Sequence, residues 1–208
     1  MLVILDLDGT IIDSEKAHYN SFVKGITKKG YKLNSSQKKG IKSKFGMKGE
    51  RILKEALPNI SKKELDEIFF EVKKISVNEE LKNVILIKGA KEFLINNFKK
   101  HDLALATNSS KIFTEKCVDF LGLKKFFKKI ITASNVLNAK PNPEMINKII
   151  KELNYKKNDC VFIGDSIFDF LAAKKAKIKF IAVLSKSDYK KELKKVSEYY
   201  SDLSKVKI

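Results

Sequence analysis

ILDLDGTIID, residues 4–13, joins a run of apolar residues to three aspartates near the N-terminus of a 208-residue chain. Apolar residues at 2–5 and at 7 are typical of a strand buried on both faces. Asp6 and Asp8 fall where such a strand should end. Because a buried carboxylate is costly unless an opposite charge offsets it, the two aspartates predict a cation bound at this strand end.

The size and composition of the chain indicate a globular protein of one mid-sized domain, or of one domain with a smaller one attached. Hydrophobic residues make up 43% of the chain and charged residues 33%. No apolar run is long enough to cross a bilayer, and the N-terminus runs into a strand without a signal peptide. We therefore expect a cytoplasmic monomer or weak dimer with no membrane partner.

The chain carries a formal net charge of +18, which raises the question of a nucleic-acid partner. Of its 43 basic residues, Arg51 is the only arginine, and the lysines are spread along nearly every predicted helix. Arginine is the residue that nucleic-acid recognition favours. We therefore expect no nucleic acid, and a positive field that attracts small anionic substrates.

Apolar runs and helical patterns alternate through most of the chain. This alternation predicts an α/β fold, a Rossmann-like parallel sheet with helices on both faces. The predicted strands are 2–6, 103–106, 129–132, 160–163 and 180–184, with helices near 89–100, 110–121, 142–154 and 167–176. A lysine-rich helix from Tyr189 is expected to pack at the edge of the sheet.

The interval between the first strand and the rest of the sheet has only helical patterns, near 15–29, 35–43, 48–56 and 61–75. A helical insertion at this point predicts a small cap domain over residues 14–86. The catalytic core then consists of residues 1–13 and 87–208. The hinges are expected near 13–16 and 82–88.

Polar residues follow four of the predicted strands, and ligands of open parallel sheets bind beyond the carboxyl ends of the strands. The sequence therefore predicts one site built from these residues. In chain order they are Asp6 and Asp8, then Thr107 and Asn108, then Lys140, then Asp165 and Asp169.

These residue types suit phosphoryl transfer. Mg²⁺ prefers oxygen ligands, which Asp6, the main-chain carbonyl of Asp8, and Asp165 can supply. Asp6 can then attack phosphorus as a nucleophile, while Asp8 acts as general acid and base. Thr107 and the N–H groups after it, including that of Asn108, can hold phosphate oxygens. Three further features complete the prediction: the positive charge of Lys140, the sharp turn at Gly9, and the hydroxyl of Thr10 across that turn.

The motifs D-L-D-G-T, T-N-S, K-P-N-P and G-D-S-x-x-D, in this order, resemble the four motifs of the haloacid dehalogenase-like hydrolase superfamily. The cap after the first motif is similar to the subgroup that includes phosphoglycolate phosphatase and beta-phosphoglucomutase. The resemblance implies the roles given above, and it implies that Asp169 serves the metal site by orienting Asp165 or a metal-bound water. It also suggests that His18, Lys48 and Arg51 contact substrate or the catalytic aspartate.

We accordingly expect an Mg²⁺-dependent phosphatase that hydrolyses a small phosphorylated metabolite, such as phosphoglycolate or a sugar phosphate, through an aspartyl-phosphate. Three alternatives stay open at this stage. The first is a sugar-phosphate mutase with the same intermediate, and the second is a phosphonate-cleaving enzyme with a lysine nucleophile in the cap. The third, from a different class, is a binding protein that keeps the fold without turnover.

Overall fold

A six-stranded sheet forms the centre of the computed structural model, which describes residues 1–208 apart from the side chain of residue 196. The strands are β1 (Leu2–Leu5), β2 (Ile12–Asp13), β3 (Ile85–Leu86), β4 (Asp102–Thr107), β5 (Lys129–Thr132), β6 (Cys160–Gly164), β7 (Lys179–Val183) and β8 (Glu198–Tyr200). The sheet has the order β5-β4-β1-β6-β7-β8, and every neighbouring pair is parallel. Strands β2 and β3 form a separate antiparallel pair.

Helices cover both faces of this sheet. The helices of the chain are α1 (Glu15–Lys28), α2 (Ser35–Lys42), α3 (Gly49–Ala56), α4 (Lys62–Asn78), α5 (Ala90–Asn97), α6 (Lys111–Phe120), α7 (Glu144–Glu152), α8 (Ile167–Ala176) and α9 (Lys190–Val196). Val3 and Leu5 of β1 pack with α5 and α6, whereas Leu2 and Ile4 pack with α7 and α8. This burial on both faces explains why β1 is apolar throughout, and it confirms the predicted α/β fold.

The four helices α1–α4 lie between β2 and β3 along the chain and pack around an apolar cluster of their own. This cluster includes Phe22, Ile26, Ile41, Ile52, Leu53, Leu65, Ile68 and Val72. Asn34 and Ser61 start α2 and α4 with reciprocal capping boxes, which satisfy main-chain N–H groups at the helix ends. We call α1–α4 the cap below, and its exact domain limits at 14 and 86 stay a prediction.

Two parts of the sheet structure differ from the sequence-based expectation. The hinge contains the short pair β2–β3, joined at Ile12↔Leu86 and Asp13↔Ile85, where no strand was expected. The C-terminal helix stops at residue 196, and β8 then extends the sheet beside β7. Strands of two or three residues are too short to carry a visible alternation, which explains both differences.

The longest helix among those described is α4, with 17 residues, and it carries charged residues along its length. No helix in the described part of the chain is both long enough and apolar enough to pass through a membrane.

Candidate active site

The carboxyl ends of β1, β4 and β6 meet at one edge of the sheet. Leu5 is level with Leu105 of β4 and with Ile163 of β6, so the residues that follow these strands lie side by side. The N–H of Asp6 donates to the carbonyl of Ile163 at 2.9 Å, which fixes the backbone where the first aspartate leaves the sheet.

Lys140 joins two aspartates at this edge. Its Nζ lies 2.7 Å from Oδ1 of Asp6 and 2.7 Å from Oδ1 of Asp169, and it donates to the carbonyl of Ala106 at 2.9 Å. All three charged side chains are buried. One lysine therefore faces two carboxylates inside the protein, which leaves an excess of negative charge.

Asp165 adds a third carboxylate to the cluster. Thr10 donates to Oδ1 of Asp165 at 2.9 Å across the turn made by Gly9. Gly9 has a φ of +78°, and a β-carbon there would collide with the Asp165 carboxylate. Only glycine therefore meets both requirements of this turn, the left-handed backbone and the close approach of Asp165.

The carboxylate oxygens of Asp6, Asp165 and Asp169 fit a divalent cation. One oxygen from each lies within 4.8 Å of the others. Asp6 Oδ1, although buried and close to Lys140, accepts no hydrogen bond of regular geometry. A hard cation with oxygen ligands would satisfy this oxygen. Asp169 is less free, because its Oδ2 accepts from the N–H and the hydroxyl of Ser166 at 3.0 and 2.6 Å.

The pKa values of two of these groups reflect the excess negative charge. Burial, together with the nearby charge of Asp169, raises the pKa of Asp6 to about 8, although Lys140 opposes the shift. Burial and the charges of Asp169 and Asp6 raise the pKa of Asp165 well above its usual range. Burial lowers the pKa of Lys140, but its two carboxylate partners outweigh that effect, so the lysine stays charged.

Asp8 lies in a different environment, surrounded by hydrogen-bond donors. Its Oδ1 contacts Nε2 of His18 at 2.9 Å and accepts from the hydroxyl of Ser14, and its Oδ2 accepts from Ser109 at 2.7 Å and Thr107 at 3.2 Å. Burial raises the pKa of this carboxyl. The charge and hydrogen bond of His18 and the bonds from Ser14 and Ser109 outweigh burial, and hold the pKa below its usual range.

The side chain of Asn108 connects the core to the cap. Its Nδ2 donates to the carbonyls of Gly46 and Lys140 at 2.8 and 3.0 Å, and its Oδ1 accepts from the N–H of Lys140 at 3.0 Å. Asn108 therefore fixes the main chain at Lys140 and the cap loop before α3. Both polar atoms of the side chain are occupied, so the predicted phosphate contact of Asn108 would come from its main-chain N–H.

A cavity of about 230 Å³ opens beside the aspartates, between the cap and the core. Asp6, Asp8, Thr107 and Asp165 line its core side, and the predicted residues His18 and Lys48 line its cap side. Lys140 and Asp169 lie behind this surface, where Lys140 contacts both Asp6 and Asp169.

The structure places Arg51 away from the cavity. Its guanidinium pairs with Glu55 at 3.0 Å, one helical turn further along α3, and its side chain is 66% exposed. Lys48, the N-cap residue of the same helix, lines the cavity. The predicted substrate contact of Arg51 therefore has no support from its position.

Sequence reasoning missed several cavity residues. On α4, Phe69, Val72, Lys73 and Ser76 follow one another at helical spacing along the cavity wall. The lysine interrupts an otherwise small or apolar stripe, and that interruption was the signal available in the sequence. Lys186, after β7, also lines the cavity, and it pairs with Asp13 of the hinge at 2.7 Å.

Comparisons with known proteins agree with this geometry. The sequence profile of the haloacid dehalogenase-like hydrolases matches residues 3–183. Phosphoglycolate phosphatase of Colwellia psychrerythraea is 26% identical over 92% of this chain and 88% of its own length. The phosphorylated carbohydrates phosphatase of Thermotoga maritima is 29% identical over 86% of this chain and 82% of its own. The crystal structure of CbbY from Rhodobacter sphaeroides, in complex with phosphate, has a similar fold, with a TM-score of 0.85, 17% identity, and coverage of 98% of this chain and 95% of that one.

Proposed function

This chain belongs to the haloacid dehalogenase-like hydrolases, and we propose that it is an Mg²⁺-dependent phosphatase that hydrolyses a small phosphorylated metabolite through an aspartyl-phosphate. One observation carries the proposal. Asp6 is a buried carboxylate that borders the cavity beside Asp165, and its Oδ1 lies 2.7 Å from Lys140 Nζ without a hydrogen bond of regular geometry. The two phosphatases named above, from Colwellia psychrerythraea and Thermotoga maritima, support a phosphoric monoester as the substrate class.

In the first step, a carboxylate oxygen of Asp6 forms a bond to phosphorus while the bond from phosphorus to the ester oxygen breaks. The leaving oxygen takes a proton from Asp8, and this is the proton that Asp8 took from water in the second step of the preceding turnover. Lys140 holds the Asp6 carboxylate in place and offsets negative charge as it moves onto the phosphoryl group. The main-chain N–H of Asn108 would supply a donor for the phosphoryl oxygens, and the Thr107 hydroxyl would supply another by turning from Asp8, to which it donates at 3.2 Å.

In the second step, Asp8 takes a proton from a water molecule, whose oxygen attacks phosphorus. The bond between phosphorus and Asp6 breaks, inorganic phosphate leaves, and the Asp6 carboxylate is restored. The contacts of His18, Ser14, Ser109 and Thr107 support this role, since they keep Asp8 ionised and fix its orientation. An ionised carboxylate is the form that can accept the proton.

Asp6, the main-chain carbonyl of Asp8, and Asp165 are the groups we propose as Mg²⁺ ligands. Asp169, held by Ser166 and Lys140, would orient Asp165 or a water on the ion. A bound Mg²⁺ would offset the charges of the carboxylates and of the phosphate, so that two anions can approach each other.

We expect Asp165→Ala to raise the Mg²⁺ concentration needed for half-maximal activity by at least about tenfold, since one ligand is lost. The measurement is a titration of initial rate against Mg²⁺. Asp159→Ala, an exposed aspartate at the opposite end of the same strand, is the control and should titrate like the wild type. An unchanged titration in Asp165→Ala would remove this residue from the ligand set.

The raised pKa values of Asp6 and Asp165 predict how stability depends on pH without metal. Between the usual pKa of 3.8 and the value of about 8 for Asp6, the folded state binds more protons than the unfolded state. The free energy of unfolding therefore falls as the pH rises through this window. Mg²⁺ competes with these protons, so the gain in Tm on adding Mg²⁺ should be larger near pH 8 than near pH 6. Thermal denaturation with Mg²⁺ and with a chelator measures this difference in Tm at each pH. A difference in Tm that becomes smaller as the pH rises would contradict the prediction.

A second candidate function, a sugar-phosphate mutase, is favoured by the contact of His18 with Asp8 at 2.9 Å, which could help the same aspartate to move protons between substrate hydroxyls. The two functions differ in the fate of the phosphoryl group. A panel of phosphorylated metabolites, assayed with and without Mg²⁺, tests both. Steady release of inorganic phosphate supports the phosphatase, transfer between sugar hydroxyls with little release supports the mutase, and no reaction with any ester overturns both.

A further inference from the structure

The cap side of the cavity contains two lysines whose charges are not offset by protein carboxylates. Among the described residues of the cap, only three lysines are half-buried, namely Lys44, Lys48 and Lys73, and the others are exposed. Lys44 pairs with Glu55, whereas neither Lys48 nor Lys73 has a carboxylate within ion-pair distance. A half-buried cation that faces a cavity without a partner is in a position to bind an anion.

Lys73 is better placed than Lys48 to bind an anion, because its ammonium group lies over an aromatic ring. Its Nζ lies 4.6 Å from the centre of the Phe69 ring, one turn earlier on α4, and both side chains line the cavity. The ring face attracts the cation and limits its movement. Two carboxylates of the cap also line the cavity. Glu15 pairs with Lys42, so Glu50 is the one without a cationic partner, and the two lysines outnumber it.

Gly49 leaves room for the Phe69 ring against the start of α3. A β-carbon at this position would lie 2.6 Å from Cε2 of Phe69 and 3.6 Å from the tip of Phe22. A longer side chain at 49 therefore has no room while Phe69 occupies this part of the wall. The Phe69 ring takes that space and supports Lys73 above it.

We propose that Lys73 determines substrate specificity by binding a second anionic group, a carboxylate or a second phosphate, at the end of the substrate remote from the phosphoryl group. The inference rests on the proposed phosphatase function and narrows its substrate class to metabolites with two anionic ends. Lys48 adds positive charge on the same wall.

Three esters that share a two-carbon unit test this inference, with a carboxylate, a phosphate or a hydroxyl at the far end: 2-phosphoglycolate, ethane-1,2-diyl bisphosphate and 2-hydroxyethyl phosphate. In Lys73→Met, which keeps the chain length and loses the charge, kcat/KM for the preferred anionic ester should fall about 10- to 100-fold, mostly through KM. The value for 2-hydroxyethyl phosphate should stay within about twofold. The ester that loses most identifies the anion as carboxylate or phosphate.

Two further variants separate charge from structure. Lys73→Arg keeps the cation and should retain most of the preference, whereas Lys74→Met removes the neighbouring exposed lysine and should behave as wild type. Equal losses on all three esters in Lys73→Met, or a wild-type enzyme without preference for an anionic end, would overturn the inference and leave the phosphatase function intact. Hydrolysis of neither these esters nor p-nitrophenyl phosphate would overturn both.

Discussion

Asp6→Asn should abolish turnover, with kcat at least about a thousandfold below wild type, because an amide oxygen cannot form the bond to phosphorus that a carboxylate forms. The protein should stay folded. The raised pKa of Asp6, about 8, means that its charged form is unfavourable in the metal-free protein, and asparagine removes that charge. At alkaline pH we therefore expect a metal-free variant that is at least as stable as wild type.

The assay is phosphate release with the best ester of the panel, together with thermal denaturation of the same samples. Asp159→Asn, at the amino end of β6, is the matched control, and it should keep full activity. If Asp6→Asn folded normally and still turned over at a rate near that of wild type, Asp6 could not be the nucleophile.

Lys140→Met should have the largest effect on stability, with the free energy of unfolding reduced by about 3–5 kcal/mol at neutral pH. The substitution leaves Asp6 and Asp169 buried without the cation that lies 2.7 Å from each. Asp6, whose pKa is already raised to about 8, can relieve part of this cost by taking up a proton. The loss should therefore be smaller at acidic pH and grow as the pH rises, because the unfolded state releases this proton more readily than the folded state.

Chemical denaturation of Lys140→Met across this pH range measures the effect, and the double variant Lys140→Met/Asp169→Asn provides the control. Removing one of the two uncompensated charges should restore part of the lost stability. A loss that does not depend on pH, or a double variant less stable than the single one, would show that Lys140 acts through packing and not through its charge.

The core of the fold could be predicted because its signals are local. β1 and β6 are apolar runs that are followed by acidic residues. Their parallel pairing brings Asp6 and Asp165 to one edge of the sheet, independently of the cap. The partners of Asp8 are harder to predict. Ser14 contacts Asp8 from the turn before α1, and His18 contacts it from α1 itself. Ser109 contacts it from the segment after β4. These contacts depend on tertiary packing.

The cap wall could not be predicted for a related reason. Which face of α3 and α4 meets the cavity depends on how the cap sits on the core, and that is not encoded in the periodicity of either helix. The family resemblance suggests a substrate contact for Arg51, yet this side chain is exposed and pairs with Glu55. Lys73 looked like one more solvated lysine, although it lies in the cavity wall over Phe69.

The most direct test of a carboxylate nucleophile beside a bound cation is to trap the covalent intermediate. The enzyme is quenched during turnover of a phosphate ester with Mg²⁺, reduced with borohydride, digested and mapped by mass spectrometry. We predict that Asp6 is recovered as homoserine, the product expected from an aspartyl-phosphate, and that the yield falls sharply with chelator or in Asp165→Ala. Sustained phosphate release with Asp6 unmodified, or with the phosphoryl group on another residue, would contradict the account.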